Sequence, residues 1–353
     1  MQKERVFVGL SGGVDSSVAA KRLIDAGYDV TGVFIKTWQP DFIPCTWEAE
    51  RRDAMRVAAV LDIPFLTCDA ETAYRDEVAA YMIREYTAGR TPNPDVMCNK
   101  YVKFGAFLRF AREHGVDTVA TGHYARVEEQ EGDYILKRGI DTEKDQSYFL
   151  WTLTTAQRAS ILFPVGNSTK AAIRKEAEQA GLPTFAKADS QGICFLGEIN
   201  MKEFLKQYAK TVPGNILDTN GNIIGTHDGA LLYTIGERHG FTVTRSTHKG
   251  VPQYVVAKDL ALNTITVATT LRAAQGTKIR LHHINWISAP REACEAQFRY
   301  RQTPFHVQIE EKSDHTGTLS VTDSSIEIPS AGQSCVFYDG DVCLGGGIID
   351  RVE

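Results

Sequence analysis

The sequence predicts an α/β domain built on a doubly wound parallel sheet, followed by two small β-barrel domains. Three observations predict it. Apolar runs alternate with amphipathic helical patterns through the first part of the chain, which implies parallel strands with helices on both faces. The first of these runs passes straight into a glycine- and serine-rich loop and then a helix start. Beyond Thr211 the pattern changes to short alternating strands and turn signals, as in small barrels. The expected domains are residues 1–200, 201–272 and 273–353, and 353 residues suffice for three cores.

Taken in order, Val6–Leu10 is the first strand, and Val18, Ala19, Leu23 and Ala26 mark one face of the helix after it. Further strands are expected at Asp29–Ile35, Pro64–Asp69 and Thr118–His123. Between them, Tyr74, Val78, Tyr81, Met82 and Glu85 fall at helical spacing with one polar exception, and Phe104, Phe107, Leu108 and Ala111 do so cleanly. Ligands of such sheets sit beyond the carboxyl ends of the strands. That places the glycine loop, Phe34-Ile35 and Gly122-His123 at one rim. Helices follow at Lys170–Gly181 and Met201–Tyr208. In the barrels, Tyr254–Lys258 and Thr264–Ala268 form a hairpin around Leu262-Asn263, with a linker near residues 270–276. Phe305, Val307 and Ile309 alternate with His306, Gln308 and Glu310, and Asp339-Gly340 is a hairpin turn.

Composition narrows the class. Hydrophobic residues make up 43% and charged residues 24%, with a net charge of −5. No apolar run reaches the roughly 20 residues of a membrane helix, and no signal-peptide pattern precedes the first strand, so the expected compartment is the cytoplasm. The acidic balance argues against a uniformly basic surface but leaves room for a local basic groove on nucleic acid. The cysteines are Cys45, Cys68, Cys98, Cys194, Cys294, Cys335 and Cys343, without a Cys-x-x-Cys pair. Neither a disulfide framework nor a zinc site is expected, which leaves single cysteines open to catalysis.

Three stretches carry chemistry. Ser11-Gly12-Gly13-Val14-Asp15-Ser16-Ser17 sits between a strand and a helix. A helix start presents unpaired N–H groups and the positive end of its dipole, and glycines let the backbone close on an anion. It lacks the Lys-Ser/Thr of a Walker loop and is not G-x-G-x-x-G. The second stretch, Gly89-Arg90-Thr91-Pro92-Asn93-Pro94-Asp95-Val96-Met97-Cys98-Asn99-Lys100, reads as a rigid loop entering a helix. Cys98 near a helix N-terminus, with Lys100 and Lys103 close, is expected to have a lowered thiol pKa, and Asp95 is within reach as an acid/base group. A proline turn beside a small buried cysteine fits the same residues. The third stretch, Lys187 to Gly197, sets Cys194 between Gly192 and Gly197 in an accessible loop. Two such cysteines in a chain with an anion-binding loop suit sulfur transfer, one as a persulfide and the other resolving it as a disulfide.

The glycine loop resembles that of the N-type ATP pyrophosphatases, which are adenine nucleotide alpha hydrolase-like in fold. Further motifs follow in order: Asn-Pro-Asp-Val-Met-Cys-Asn-Lys at 93–100, Thr-Gly-His-Tyr at 121–124, Lys-Asp-Gln-Ser-Tyr-Phe-Leu at 144–150 and Asp-Ser-Gln-Gly-Ile-Cys-Phe at 189–195. Gly332-Gln333, Phe337-Tyr338-Asp339-Gly340 and Leu344-Gly345-Gly346-Gly347 complete the set. Over nearly its whole length the chain is similar to the bacterial tRNA-specific 2-thiouridylases.

That resemblance implies an ATP-dependent sulfurtransferase acting on the wobble uridine of tRNA(Lys), tRNA(Glu) and tRNA(Gln), with Mg²⁺ accompanying ATP. It implies a Cys194 persulfide supplied by a relay protein or a cysteine desulfurase, an assisting Cys98 that frees sulfide or closes a disulfide, and Asp95 as acid/base group. By position, Gly9, Leu10, Ser11, Gly12, Gly13, Val14, Asp15 and Ser16 match the ATP loop, with Ile35 and Gly122 at its rim. Asn93, Pro94 and Asp95 match the target-base loop. His123, Lys144, Asp145, Gln146, Arg299, Tyr300 and Gln333 match tRNA contacts. The chain departs from the family pattern at Glu237, usually Gln, at Ala331, commonly Pro, and in a short stretch at 245–251. Amination on the same loop, as in GMP or argininosuccinate synthetases, needs no thiol pair, and a non-catalytic RNA-binding protein needs no intact loop. Because Cys98 and Cys194 lie in separate loops, they are expected to meet only when tRNA orders them.

Overall fold

A computed structural model describes residues 3–189, 192–244, 251–272, 276–312, 314–321 and 326–353. The short stretch expected at 245–251 lies outside these residues apart from Val251, as do residues 273–275 of the expected linker and Ser190-Gln191 of the third motif.

The first seven strands are β1 (Arg5–Gly9), β2 (Asp29–Lys36), β3 (Phe65–Asp69), β4 (Thr118–Ala120), β5 (Ala125–Gln130), β6 (Asp133–Arg138) and β7 (Ile161–Leu162). Five of them form a parallel sheet in the order β3-β2-β1-β4-β7. Side chains alternate across a strand, so β1 serves two cores. Val6, Val8 and Leu10 pack with Val30, Phe34 and the helices α1 (Val14–Asp25) and α2 (Trp47–Val60). Phe7 faces the other way, among Val33, Ile35 and the Tyr74, Val78, Met82, Val102 and Phe107 side chains of the opposite helices. The polar exception in that stripe, Glu85, is buried because Arg90 holds its carboxylate through contacts of 2.6 and 2.9 Å.

The strand expected over Thr118–His123 stops at Ala120. The reason lies at Gly122, where a Cβ would come 2.6 Å from the Ser16 nitrogen, so the chain has left the ladder to pass under the start of α1. The order places the loop after β1 where the direction of winding reverses, between β1 and β4, the usual crevice for a ligand in such sheets.

Behind this layer are two β domains. Gly214–Leu217, Ile223–His227, Thr242–Val243, Tyr254–Asp259 and Thr264–Ala268 make a five-stranded sheet that includes the expected hairpin. The last domain is a closed six-stranded barrel: Lys278–Trp286 pairs with both Gly317–Val321 and Val342–Val352, and Phe305–Glu311, Ala293–Gln297 and Ser334–Asp339 complete the ring. Val307 and Ile309 point into its core while His306, Gln308 and Glu310 are exposed, and Gly340 makes the turn with φ of 59°. One feature not read from the sequence is the β5–β6 hairpin, which adds to the barrel edge at Lys137 and Val342. It makes the N-terminal and C-terminal domains share a sheet. No helix among the described residues is long and apolar enough to cross a membrane.

Candidate active site

The loop after β1 is shaped by hydrogen bonds that leave the helix start facing out. The Ser11 amide donates to Ser16 Oγ at 3.2 Å, and Ser17 Oγ donates back to the Gly13 carbonyl at 2.7 Å. Gly12 has φ of +70°, and a Cβ there would meet the Glu50 carbonyl at 2.7 Å. Leu10 and Val14 anchor the loop in the cores below, and Ile35 lies beside Gly9. Asp15 is held by Tyr124 Oη at 2.8 Å and Lys170 Nζ at 2.7 Å. Lys187 closes over the far side, donating to the Gly12 carbonyl at 3.0 Å and to Asp53 at 2.8 Å.

The second half-site is built on the proline loop. Asn93 caps the following helix by accepting from the Val96 amide at 3.3 Å, with Pro94 in its first turn, where a missing N–H costs nothing. From Cys98 to Ala106 the helix widens to i→i+5 bonding, a distortion often found at functional sites. The barrel grips the loop from behind: Gln333 Nε2 donates to the Thr91 and Pro92 carbonyls at 2.9 and 3.2 Å, and the Thr91 amide donates to the Ala331 carbonyl at 2.7 Å.

Cys194 lies in a tight turn closed by Ile193 and Gly197, with Phe195 at φ of +66°. Three bonds pin this turn to the sheet domain. The Cys194 amide donates to Asp95 Oδ1 at 2.9 Å, Tyr74 Oη donates to the Cys194 carbonyl at 2.8 Å, and Gln39 Nε2 donates to the Phe195 carbonyl at 3.0 Å. The result packs Cys194 against the buried cluster that holds Cys98, close enough for the two thiols to perturb each other. Lys103 Nζ stands 3.6 Å from Cys194 Sγ and 3.4 Å from His123 Nε2. An ammonium can only donate, so Nε2 accepts and Nδ1 carries the proton, donating to Thr121 Oγ1 at 2.7 Å. Burial, with Lys103 beside it, holds His123 neutral, well below the usual histidine range. Burial pulls Lys103 down, but Cys194, Cys98 and Asp95 outweigh it and the net shift is upward.

Two expectations are corrected. The Cys98 thiol is not acidic: burial first, then the neighbouring Cys194, push it well above the ordinary thiol range, and Lys103 only partly opposes them. The helix N-terminus cannot compensate, because Cys98 is fully buried in the core rather than at an exposed helix start. Nor does the meeting of Cys98 and Cys194 wait for tRNA: the Asp95 carboxylate and the Tyr74 hydroxyl already seat the Cys194 turn on the proline loop.

The two half-sites connect through the end of β4. Gly122 touches the backbone of Asp15 and Ser16, and the next residue, His123, reaches Lys103 and through it Cys194. The remaining expected contacts are dispersed. Lys144 pairs with Asp189 at 2.7 Å. Asp145 is buried and gives its carboxylate to Arg138, Ser147 and the Gly139 amide, while Gln146 Oε1 accepts from the Tyr124 amide at 2.9 Å. Arg299 pairs with Glu327, and Tyr300 packs on Phe149; both border a depression of about 490 Å³ on the barrel. Glu237 is neutralised by Lys202 at 2.7 Å rather than facing outward alone. Tyr74, Tyr124 and Lys170 were not singled out by the sequence as site residues. Tyr74 enters there only as part of a helical stripe, and Lys170 as the start of a helix.

Among the described residues no three His, Cys, Asp or Glu side chains converge to hold a metal ion, and Asp15 is engaged by Lys170 and Tyr124. Mg²⁺ dehydrates reluctantly and is commonly held through substrate phosphates rather than by an all-protein cage.

Comparison with known proteins agrees with this anatomy. Three family models match in order: the tRNA methyl transferase HUP domain over residues 4–198, the tRNA methyl transferase PRC-barrel domain over 202–269 and the aminomethyltransferase beta-barrel domain over 276–349. The chain is 46% identical to the tRNA-specific 2-thiouridylase MnmA of Geobacillus thermodenitrificans, covering 99% of this chain and 95% of that one. It is 44% identical to the proteins of that name in Listeria monocytogenes and Enterococcus faecalis, at 99% of this chain and 95 and 96% of theirs.

Proposed function

Because the chain belongs to the MnmA family of tRNA-specific 2-thiouridylases, we propose that it uses ATP to replace the 2-oxygen of the wobble uridine of tRNA with sulfur. The observation that supports this reading most directly is the Cys98–Cys194 thiol pair, assembled beside Asp95 and joined through Lys103 and His123 to the loop after β1.

The chemistry divides a hard displacement into easier ones. Outward N–H groups at Ser11–Ser16 bind the phosphates of ATP. The uridine O2 attacks the α-phosphorus, pyrophosphate leaves, and C2 then carries AMP as its leaving group. A persulfide donor passes one sulfur atom to Cys194. The terminal persulfide sulfur, deprotonated, attacks C2 and expels AMP with the former O2. The Cys98 thiolate then attacks Cys194 Sγ; the bond to the transferred sulfur breaks, its electron pair restores the C2=S group, and a Cys98–Cys194 disulfide forms. A thiol reductant reopens it. In the alternative order Cys98 attacks the persulfide first and frees hydrosulfide, which displaces AMP; both orders end in the same disulfide. Asp95 is the acid/base group of these steps, and a base still in its stack would cost a few kcal/mol to extract, less in an anticodon loop.

The substrates are tRNA(Lys), tRNA(Glu) and tRNA(Gln), Mg²⁺ enters on the nucleotide, and the donor is a relay protein or a cysteine desulfurase in the cytoplasm. Asn93 and Pro94 frame the base, and Gln333 holds their loop. Thiolation of unmodified tRNA(Glu) with ATP and a persulfide source, read by retardation on a mercury gel, tests the proposal. Retardation that requires ATP and Cys194 supports it. Its absence despite tRNA-dependent pyrophosphate release leaves adenylation standing and removes Cys194 as sulfur carrier.

A further inference from the structure

A knot of charge lies beside the nucleotide loop, on the side of the chain that leads to Cys194. Lys170 Nζ pairs at once with Asp15 at 2.7 Å and with Asp189 at 2.9 Å. Lys144 reaches the second oxygen of Asp189 at 2.7 Å, and Arg174 the first at 2.5 Å. Tyr124 adds a hydroxyl on Asp15 at 2.8 Å. Three cations thus converge on one carboxylate. Although burial opposes it, their hydrogen bonds and charges hold Asp189 well below the usual carboxylate range. The Asp141 carboxylate accepts from the Lys170 amide at 2.8 Å, so three cations are balanced by three carboxylates next to a loop shaped to receive phosphates.

An Asp carboxylate clasped by two lysines and an arginine presents the oxygen geometry of a phosphate to donors that suit a phosphate. From this placement we infer that Lys144, Lys170 and Arg174 form the subsite for the β- and γ-phosphates of ATP, and for the pyrophosphate that leaves, and that Asp189 fills it as an internal counter-anion until the nucleotide arrives. The inference deepens the reading above and rests on it for the identity of the nucleotide. Lys170 is the hinge of the exchange, because its bond to Asp15 keeps it at the loop whichever anion it holds. Asp189 opens the stretch that carries Cys194, so phosphate and that stretch compete for the same three cations.

Isothermal titration of the full chain with ATP, pyrophosphate and AMP, without tRNA, tests the exchange. Lys170→Gln and Arg174→Gln should weaken ATP and pyrophosphate about tenfold each, the scale of one lost charge-assisted bond, while AMP binds as before. Asp189→Asn should act in the opposite direction and tighten pyrophosphate several-fold, since a filled site discounts the affinity of its competitor. Equal losses for AMP, or pyrophosphate binding that Asp189→Asn weakens or leaves unchanged, would overturn the inference and make the knot a structural clasp. A fall in tRNA affinity with ATP and pyrophosphate unchanged would also overturn it, by assigning the cations to the RNA backbone. None of these readings requires sulfur transfer, so failure of the thiolation assay and failure of this exchange are separate results.

Discussion

Gly122→Ala is the sharpest probe of how the sheet serves the nucleotide loop. The added Cβ would lie 2.6 Å from the Ser16 nitrogen, 2.7 Å from the Asp15 carbonyl carbon and 3.0 Å from Asp15 Cβ. Ordinary contact begins at 3.4 Å, so the start of α1 must retreat by about 0.8 Å. Two of these neighbours are backbone atoms, and no side-chain rotation relieves them. Overpacking of this kind costs about 1–3 kcal/mol of stability. A misplacement near 1 Å at a reacting centre costs on the order of a hundredfold in rate. The expected outcome is a folded enzyme with kcat/KM for ATP lowered by about 10- to 100-fold, the apparent KM for ATP carrying much of the loss. The assay is tRNA-dependent pyrophosphate release over a range of ATP concentrations, with thermal unfolding as the control for folding. An unchanged KM and rate in a folded variant would refute the claim that β4 and the α1 N-terminus are locked together at the nucleotide site.

Three other outcomes are expected. Gln333→Leu removes the two bonds to the Thr91 and Pro92 carbonyls; thiolation should fall while ATP binding measured by calorimetry does not, at a stability cost of about 1–2 kcal/mol, and weakened ATP binding would contradict the view that this contact positions only the proline loop. In native, reduced enzyme treated with iodoacetamide at pH 8, exposed Cys45 should label first and Cys98, whose thiol is pushed up by burial, should label slowly with the other buried cysteines; peptide mass mapping that finds Cys98 among the fast sites would contradict a buried, protonated thiol. Lys258 is depressed to about 8 by burial, with Glu237 opposing; the unfolded chain then holds the extra proton between about pH 8 and the ordinary lysine value near 10.4, so stability should rise with pH across that window, and this part of the slope should vanish in Lys258→Met when urea unfolding is followed at several pH values.

What the sequence revealed follows from the range of the interactions concerned. The sheet, the loop after β1 and the Asn93-Pro94 entry to its helix are local matters of periodicity, glycine and capping, and Val6, Phe7 and Val8 already announce two apolar faces. The end of β4 was not legible, because what stops it is a close approach between Gly122 and Ser16, more than a hundred residues earlier. The β5–β6 hairpin escaped notice for a similar reason: its partner strand begins at Val342. The chemical character of Cys98 was misread because neighbours in sequence, Lys100 among them, suggested an electropositive site. In the fold Lys100 lies over the Tyr101 ring, and burial decides the pKa of the thiol. The knot around Asp189 draws on residues from four separate stretches, which no spacing rule connects.

The pre-formed thiol pair changes what tRNA has to contribute. If the loops met only on the substrate, binding energy would be spent on bringing Cys98 to Cys194. Here Asp95 and Tyr74 already hold the Cys194 turn in place, and the energy of tRNA binding is available for extracting the base. The arrangement carries its own restraint. Cys98 is buried and held protonated, so it is a poor nucleophile while the site is closed. The cation that opposes this is Lys103, which is shared with Cys194 and His123. His123 is neutral and accepts from that lysine, so it does not compete with the thiols as a second positive charge. A persulfide on Cys194 would place a more acidic sulfur beside the same ammonium, drawing Lys103 toward the terminal sulfur and leaving Cys98 protonated until the later attack. The order of events would then be set by one lysine's allegiance, with the sulfur that leaves charged first and the sulfur that resolves charged last.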